Sequence, residues 1–125
     1  MSVVVLSALL VLHHDCSVTF KLKSVPLFYH HDIEVAKNIL KACYDGGARL
    51  LEFTNRGDFA HDVFKALIQY ANQSLTGMIL GIGSVTDAAS ASYYLMNGEN
   101  FIVTPVFRKD IAVVCNRRKV LWSPG

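Results

Sequence analysis

The chain is poor in cysteine, proline and charged residues. It has three cysteines, three prolines and 18% charged residues among 125. The cysteines (Cys16, Cys43 and Cys115) are odd in number, far apart and without a CxxC pair, which argues against a disulfide scaffold and favours a reducing cytoplasm. Hydrophobic content of 52% argues against disorder and predicts a well-buried α/β interior.

Strongly charged segments and long apolar runs are also missing. The net charge is +2 and the basic residues are scattered apart from residues 117–119, so nothing indicates a nucleic-acid partner. The apolar run 3–12 is too short to span a bilayer and lacks the positive flank of a signal peptide, so no membrane partner is expected. We expect residues 1–24 to form an atypical apolar N-terminal segment and residues 25–125 to form the domain.

From residue 25 onward, short apolar strands alternate with amphipathic helices. The helices are predicted to begin at caps formed by Asp32, Asp58 and Thr86, with a fourth around residues 111–115. This alternation predicts a parallel sheet with right-handed crossovers, either doubly wound or part of a (β/α)₈ barrel. Polar residues at the strand ends favour the barrel. The predicted strands are residues 25–29, 50–54, 78–81, 101–104 and 120–122.

Glu52 interrupts an otherwise apolar strand. Alternation places Leu50, Glu52 and Thr54 on one face. A buried ionised carboxylate is unfavourable unless it is paired or its charge is suppressed. Arg56 follows four residues later, so a structural ion pair and a polar site at the end of the strand are both open interpretations.

Other strand ends carry polar or unusual residues as well. Residues 81–84 (GIGS) follow the third strand, and Thr104 and Pro105 follow the fourth. The carboxyl ends of parallel strands meet at one edge, so a carboxylate, a guanidinium, a hydroxyl and exposed glycine amides are predicted around one rim. The adjacent His30 and His31 predict a solvated turn, and no metal site is expected.

That set of groups suits a small oxo-acid. Arg56 can bind a carboxylate through two parallel hydrogen bonds, and Ser84 with the glycine amides can bind the same anion. Glu52 can move a proton at the reacting carbon or oxygen, because burial raises the pKa of a carboxyl towards the working range.

Three segments in order, LLEFTNR (50–56), GIGSV (81–85) and FIVTP (101–105), resemble the first half of the 2-keto-3-deoxy-6-phosphogluconate (KDPG) aldolases. That family includes the 4-hydroxy-2-oxoglutarate (KHG) aldolases, and the resemblance covers about residues 25–125. It implies a (β/α)₈ TIM barrel, present here as about five parallel strands with flanking helices, and commonly a trimer. It also implies a class I aldolase, a lyase that releases pyruvate and an aldehyde through a lysine Schiff base, without a cofactor.

The resemblance implies roles for four residues. Glu52 is the acid/base that transfers the proton, and Arg56 and Ser84 lie around the oxo-acid or phosphate end of the substrate. Pro105 corresponds to the family's proline after the fourth strand and is expected at the substrate site.

One departure from the family affects the predicted activity. The family's Schiff-base lysine lies on the sixth strand, whereas this chain is predicted to have five, so we expect the chain alone to lack the nucleophile and to be inactive. Its exposed sheet edges predict a homo-oligomer. The alternatives are a non-catalytic, self-associating half-barrel and a module that binds small oxo-acids or phosphates without turnover. None of the chain's lysines is predicted at a strand mouth: Lys21, Lys23, Lys37, Lys41, Lys65, Lys109 and Lys119.

Overall fold

The structure is a computed structural model that describes residues 25–125. The expectations for residues 1–24 lie outside this range. Strands and helices alternate along the described chain, beginning and ending with a strand. The strands are β1 (Leu27–Phe28), β2 (Leu50–Thr54), β3 (Ile79–Gly83), β4 (Phe101–Thr104) and β5 (Leu121–Pro124), and the helices are α1 (Ile33–Asp45), α2 (Ala60–Ser74), α3 (Ala88–Met96) and α4 (Lys109–Arg118).

The five strands form one parallel sheet in the order β1-β2-β3-β4-β5. Each strand therefore pairs with the next one along the chain, and the order never reverses. A doubly wound sheet contains such a reversal, whereas successive strands of a (β/α)₈ barrel add in one direction. The predicted partial barrel is confirmed.

Two apolar clusters lie on opposite faces of the sheet. The larger cluster joins helix residues such as Leu40 and Phe64 to alternate strand residues such as Leu51 and Ile82. The smaller cluster contains Val25, Leu50 and Phe101, which belong to the other strand face. All four helices therefore cover one side of the sheet, as in the outer layer of a barrel.

The helix starts differ in part from the prediction. Asp32 caps α1 as expected, since its side chain accepts a hydrogen bond from the N–H of Val35 at 2.9 Å. The cap of α3 is Asp87 and not Thr86. Asp58 does not cap α2 either: the N-cap is Phe59, which has a left-handed backbone and no side-chain capping bond.

Two further expectations about these elements need correction. The helical spacing of Phe59, Val63 and Leu67 predicts Phe59 on the buried face of α2, but Phe59 is 70% exposed, because the helix begins after it. β3 continues to Gly83, two residues beyond the predicted end at residue 81, so Gly83 also lies within the strand and not in the turn that follows it. Among residues 25–125, no helix combines the length and apolar character needed to cross a membrane.

Candidate active site at the carboxyl ends of the strands

Glu52 lies on the face of the sheet that the helices do not cover. Its neighbours Leu51 and Phe53 belong to the helix-covered core, whereas Leu50 packs with the smaller cluster on the other face. Because side chains alternate along a strand, Glu52 shares the face of Leu50. The predicted alternation of β2 is confirmed.

Two glycines of β3 leave room on this inner face. A Cβ atom at Gly83 would overlap the carboxyl group of Glu52, and one at Gly81 would overlap the ring of Phe101. In the register of the sheet Glu52 pairs with Gly81, and Gly83 is two residues further on, so the Glu52 carboxyl leans towards the carboxyl ends of the strands. Both glycines are buried in the strand, and the prediction that their amides are exposed at a turn is wrong.

The Glu52 carboxyl is buried without a charged partner. The residue is 6% exposed, and burial raises the pKa of its carboxyl group. Among residues 25–125, the ion pairs closer than 4.0 Å do not include Glu52, so a structural pair with Arg56 is not formed. A carboxyl with a raised pKa keeps its proton more readily than an ordinary one, which suits a group that gives and takes a proton.

Arg56 lies in the turn that follows β2, and its side chain is exposed. Its backbone N–H donates a hydrogen bond to the carbonyl oxygen of Thr54 at 3.0 Å, which turns the chain immediately after the strand. The turn places the guanidinium at the carboxyl edge of the sheet, where it is accessible to an anion.

Ser84 follows β3 directly and has a left-handed backbone, with φ of 60°. Residues other than glycine rarely adopt this conformation, and it is found disproportionately at functional sites. The side chain is half-buried at the same edge as Arg56. The structure therefore places a hydroxyl on a constrained turn beside the strand that holds Gly83.

Pro105 is exposed after β4, in a turn that Thr104 fixes. The fully buried Thr104 hydroxyl donates to the carbonyl oxygen of Val106 at 2.7 Å and accepts from the indole N–H of Trp122 at 3.2 Å. The ring of Phe107 packs on that of Trp122, with centroids 5.3 Å apart. The sequence predicts Thr104 at the rim but does not reveal that its hydroxyl stabilises the turn after β4.

Sequence reasoning also missed the connection between Tyr94 and Asn55. The Tyr94 hydroxyl donates to the side-chain oxygen of Asn55 at 2.8 Å, although 39 residues separate them. The one signal in the sequence is helical spacing, because Tyr94 lies three residues after Ala91 and so on the same side of an α-helix.

A second buried carboxyl, Glu99, lies away from this site. It precedes β4 and therefore lies at the amino end of the strands. It is 4% exposed, and neither carboxyl oxygen has a hydrogen-bond partner within residues 25–125. Burial raises the pKa of Glu99 to about 7, and Arg118 opposes the shift.

The candidate site therefore brings together the strand-end residues of β2 and β3, with Pro105 on the neighbouring turn after β4. It offers a buried carboxyl with a raised pKa, an exposed arginine and a half-buried hydroxyl on a constrained turn, and groups of these types can bind an anion and exchange a proton. Among the described residues, no three His, Cys, Asp or Glu side chains are grouped to hold a metal ion.

A family model, "KDPG and KHG aldolase", matches residues 17–125, nearly the whole chain. The chain belongs to the KDPG and KHG aldolase family. Its match begins eight residues before the domain start expected at residue 25.

Individual relatives of this aldolase family agree. A 2-dehydro-3-deoxy-phosphogluconate aldolase of Pseudoalteromonas atlantica is 31% identical over 101 residues, which is 81% of this chain and 45% of that protein. The KDPG aldolase of Zymomonas mobilis, solved with 3-phosphoglycerate, is 28% identical with a TM-score of 0.70, over 81% of this chain and 46% of that one. The chain spans about half the length of the aldolases it matches.

The KDPG aldolase of Legionella pneumophila shares the fold with a TM-score of 0.72 at 21% identity, over 81% of this chain and 47% of that one. Its similarity supports the architecture alone. The five parallel strands with flanking helices thus correspond to about half of an aldolase barrel.

Proposed function

We propose that residues 25–125 form the pyruvate-side half of a class I aldolase site acting on 2-keto-3-deoxy-6-phosphogluconate or 4-hydroxy-2-oxoglutarate. In this proposal Glu52 transfers the proton, Arg56 binds the carboxylate of the oxo-acid, and Ser84 and Pro105 border the substrate. Membership of the KDPG and KHG aldolase family supports the substrate class.

The observation that carries the proposal is the state of the Glu52 carboxyl. It is buried, lies above Gly83, and has no ion-pair partner among the described residues. A purely structural buried carboxylate is normally paired, because an unpaired buried charge is strongly destabilising. An acid/base group needs the opposite arrangement, with a raised pKa and a free face towards the substrate.

The lysines of the described residues are not placed for covalent catalysis. The five strands contain no lysine, and Lys37, Lys41 and Lys65 lie on helices outside the sheet. We therefore propose that this half of the site binds the oxo-acid and supplies proton transfer, without forming the Schiff base. We propose binding without turnover for the part of the chain that the structure describes.

Titration with pyruvate tests the binding role. We expect Arg56→Ala to weaken pyruvate binding about tenfold or more, since it removes a charged hydrogen bond. The matched control is Arg117→Ala, which removes an exposed arginine from the last turn of α4 and should leave the affinity unchanged. Equal affinities in the two variants would contradict the role of Arg56.

Borohydride reduction in the presence of pyruvate tests the covalent step. We expect mass spectrometry of the isolated chain to show no increase in mass. Reduction would trap a Schiff base as a stable adduct, so a modified lysine identified by peptide mapping would overturn the proposal that this half lacks the nucleophile.

We further propose that the protein works in the cytoplasm. The support is its cysteine usage: Cys43 is half-buried, Cys115 is buried, and both are free thiols. Scattered free thiols are typical of a reducing compartment.

A further inference from the structure

We propose that Tyr94 is a positioning residue for the candidate active site. Its hydroxyl holds Asn55, and through Asn55 it holds the turn that carries Arg56. The inference rests on the proposed function, because Arg56 is the group proposed to bind the oxo-acid.

The Tyr94 ring has a fixed position in the core. The residue is 3% exposed, and its ring meets Phe64 edge-to-face with centroids 5.5 Å apart. The ring of Tyr93 meets it in the same way at 6.0 Å. Rings packed on two sides have little freedom to shift, so the hydroxyl is presented from a rigid base on α3.

Asn55 links α3 to β2 and β3, the two strands of the site. Its side-chain oxygen accepts the hydrogen bond from Tyr94 at 2.8 Å, and its backbone N–H donates to the carbonyl oxygen of Gly83 at 2.9 Å. Arg56 is the next residue. A displacement of Asn55 would therefore move Arg56 and loosen the end of β2 from Gly83, over which the Glu52 carboxyl lies.

Packing does not hold Asn55 on its outer side. A cavity of about 330 Å³ opens there between the first turns of α2 and α3, lined by Asn55, His61, Ala89, Ser90, Tyr93 and Tyr94. Because the side chain has free space to turn into, the hydrogen bond to Tyr94 is what fixes it. Loss of the Tyr94 hydroxyl should therefore free the Asn55 side chain and leave the turn held by its backbone hydrogen bonds alone.

The test compares Tyr94→Phe with Tyr44→Phe. Each change removes one phenolic hydroxyl that bonds a distant residue, and Tyr44 bonds the carbonyl oxygen of Thr76, away from the site. We expect the backbone amide of Asn55 to exchange its hydrogen faster in Tyr94→Phe alone, measured by NMR on the full chain. Pyruvate should bind about three- to tenfold more weakly in that variant, as expected for the loss of one hydrogen bond.

A double-mutant cycle tests whether the Tyr94 hydroxyl acts through Asn55. In an Asn55→Ala background, Tyr94→Phe should produce no further loss of pyruvate affinity, because the bond is already absent. An equal loss in both backgrounds would show that the Tyr94 hydroxyl acts by a route other than Asn55, and the inference would fall. Unchanged exchange at Asn55 in Tyr94→Phe would overturn it as well.

The two proposals fail in different ways. If the parent chain does not bind pyruvate, the proposed function is wrong, while the exchange rate of Asn55 still decides whether Tyr94 holds the turn. If the parent binds pyruvate and Tyr94→Phe binds it equally well, the proposed function stands and the positioning role is refuted.

Discussion

Glu52 and Gly83 share one space between neighbouring strands, so a side chain at position 83 would have to displace the buried Glu52 carboxyl. We predict that Gly83→Ala lowers the free energy of unfolding by about 1–3 kcal/mol, since the added methyl overlaps the Glu52 carboxyl in a buried strand. Urea unfolding measures the change.

Two further variants define this effect. Gly46→Ala is the control, because Gly46 has an ordinary φ of −75° and lies at the exposed end of α1; its effect should stay within about 0.5 kcal/mol. Glu52→Ala should remove most of the loss caused by Gly83→Ala, since the two side chains compete for one space. Strictly additive losses would contradict the shared space.

Glu99 should make stability depend on pH. Its pKa is raised from an ordinary 4.5 to about 7, so the folded state favours the protonated form. The resulting stabilisation is fully present below about pH 4.5 and is lost as the pH rises through about 7. We predict that Glu99→Gln is more stable than the parent at pH 8, by at most about 3 kcal/mol, and similar to it near pH 4.5.

Chemical unfolding from pH 4.5 to pH 8 measures this dependence. The groups that face Glu99 are Tyr94, Cys115 and Arg118, and burial raises the pKa of Tyr94 to about 12 and that of Cys115 to about 11, so neither titrates in this range. Glu34→Gln, on the surface of α1, is the control and should change the free energy of unfolding by no more than about 0.5–1 kcal/mol. A Glu99→Gln curve parallel to that of the parent would refute the prediction.

For single residues, the sequence identifies an unusual residue type more readily than the distant residues to which it is bonded. Glu52 stood out because a carboxylate inside an apolar strand is unusual. The Tyr94–Asn55 hydrogen bond could not be predicted, because it joins residues 39 positions apart and depends on how α3 packs against β2. The same holds for Glu99, whose burial follows from the helices around it and not from its neighbours in the chain.

At the scale of helices and strands, the sequence pattern predicts the order of the elements but not the residue at which each helix begins. Strand and helix order followed from hydrophobic periodicity, whereas two of the three predicted caps were wrong. Thr86 and Asp87 are adjacent and both are good capping residues, so composition alone could not choose between them. The end of β3 was also misplaced, because glycines usually indicate a turn. In this strand they instead leave space for the side chains of Glu52 and Phe101.

The cap of α3 gives a direct test. The Asp87 side chain accepts hydrogen bonds from the backbone N–H of Ser90 at 2.8 Å and from its hydroxyl at 2.7 Å. We predict that Asp87→Ala lowers the free energy of unfolding by about 1 kcal/mol. Thr86→Ala is the control and should change it by less than about 0.5 kcal/mol, because Thr86 is exposed and does not cap the helix. A larger effect for Thr86→Ala in urea unfolding would reverse the assignment.

At the scale of the whole molecule, the sheet order accounts for where a ligand can bind. Strands that add in one direction leave no crevice between oppositely wound halves, which is where doubly wound proteins bind their ligands. The place left for a ligand is the inner face of the sheet at the carboxyl ends of the strands, and Glu52 lies on that face. The barrel was predictable because the strand-end residues differ so clearly from the apolar strands that precede them.

The edges of the sheet lead to a prediction about assembly. Within residues 25–125, β1 and β5 each pair with a single strand. Unpaired strand edges favour association with another chain, so we predict a homo-oligomer in solution. Size-exclusion chromatography with light scattering measures the mass, and a stable monomer at micromolar concentration would contradict the prediction.

The bond between Trp122 and Thr104 gives the protein a built-in optical probe. Trp122 is the one tryptophan of the chain, and its indole N–H is bonded to the residue that fixes the turn beside Pro105. Intrinsic fluorescence excited at the indole band therefore reports on this part of the rim without any label. A ligand that moves the turn should shift the emission, whereas events at the far end of the barrel should leave it unaltered.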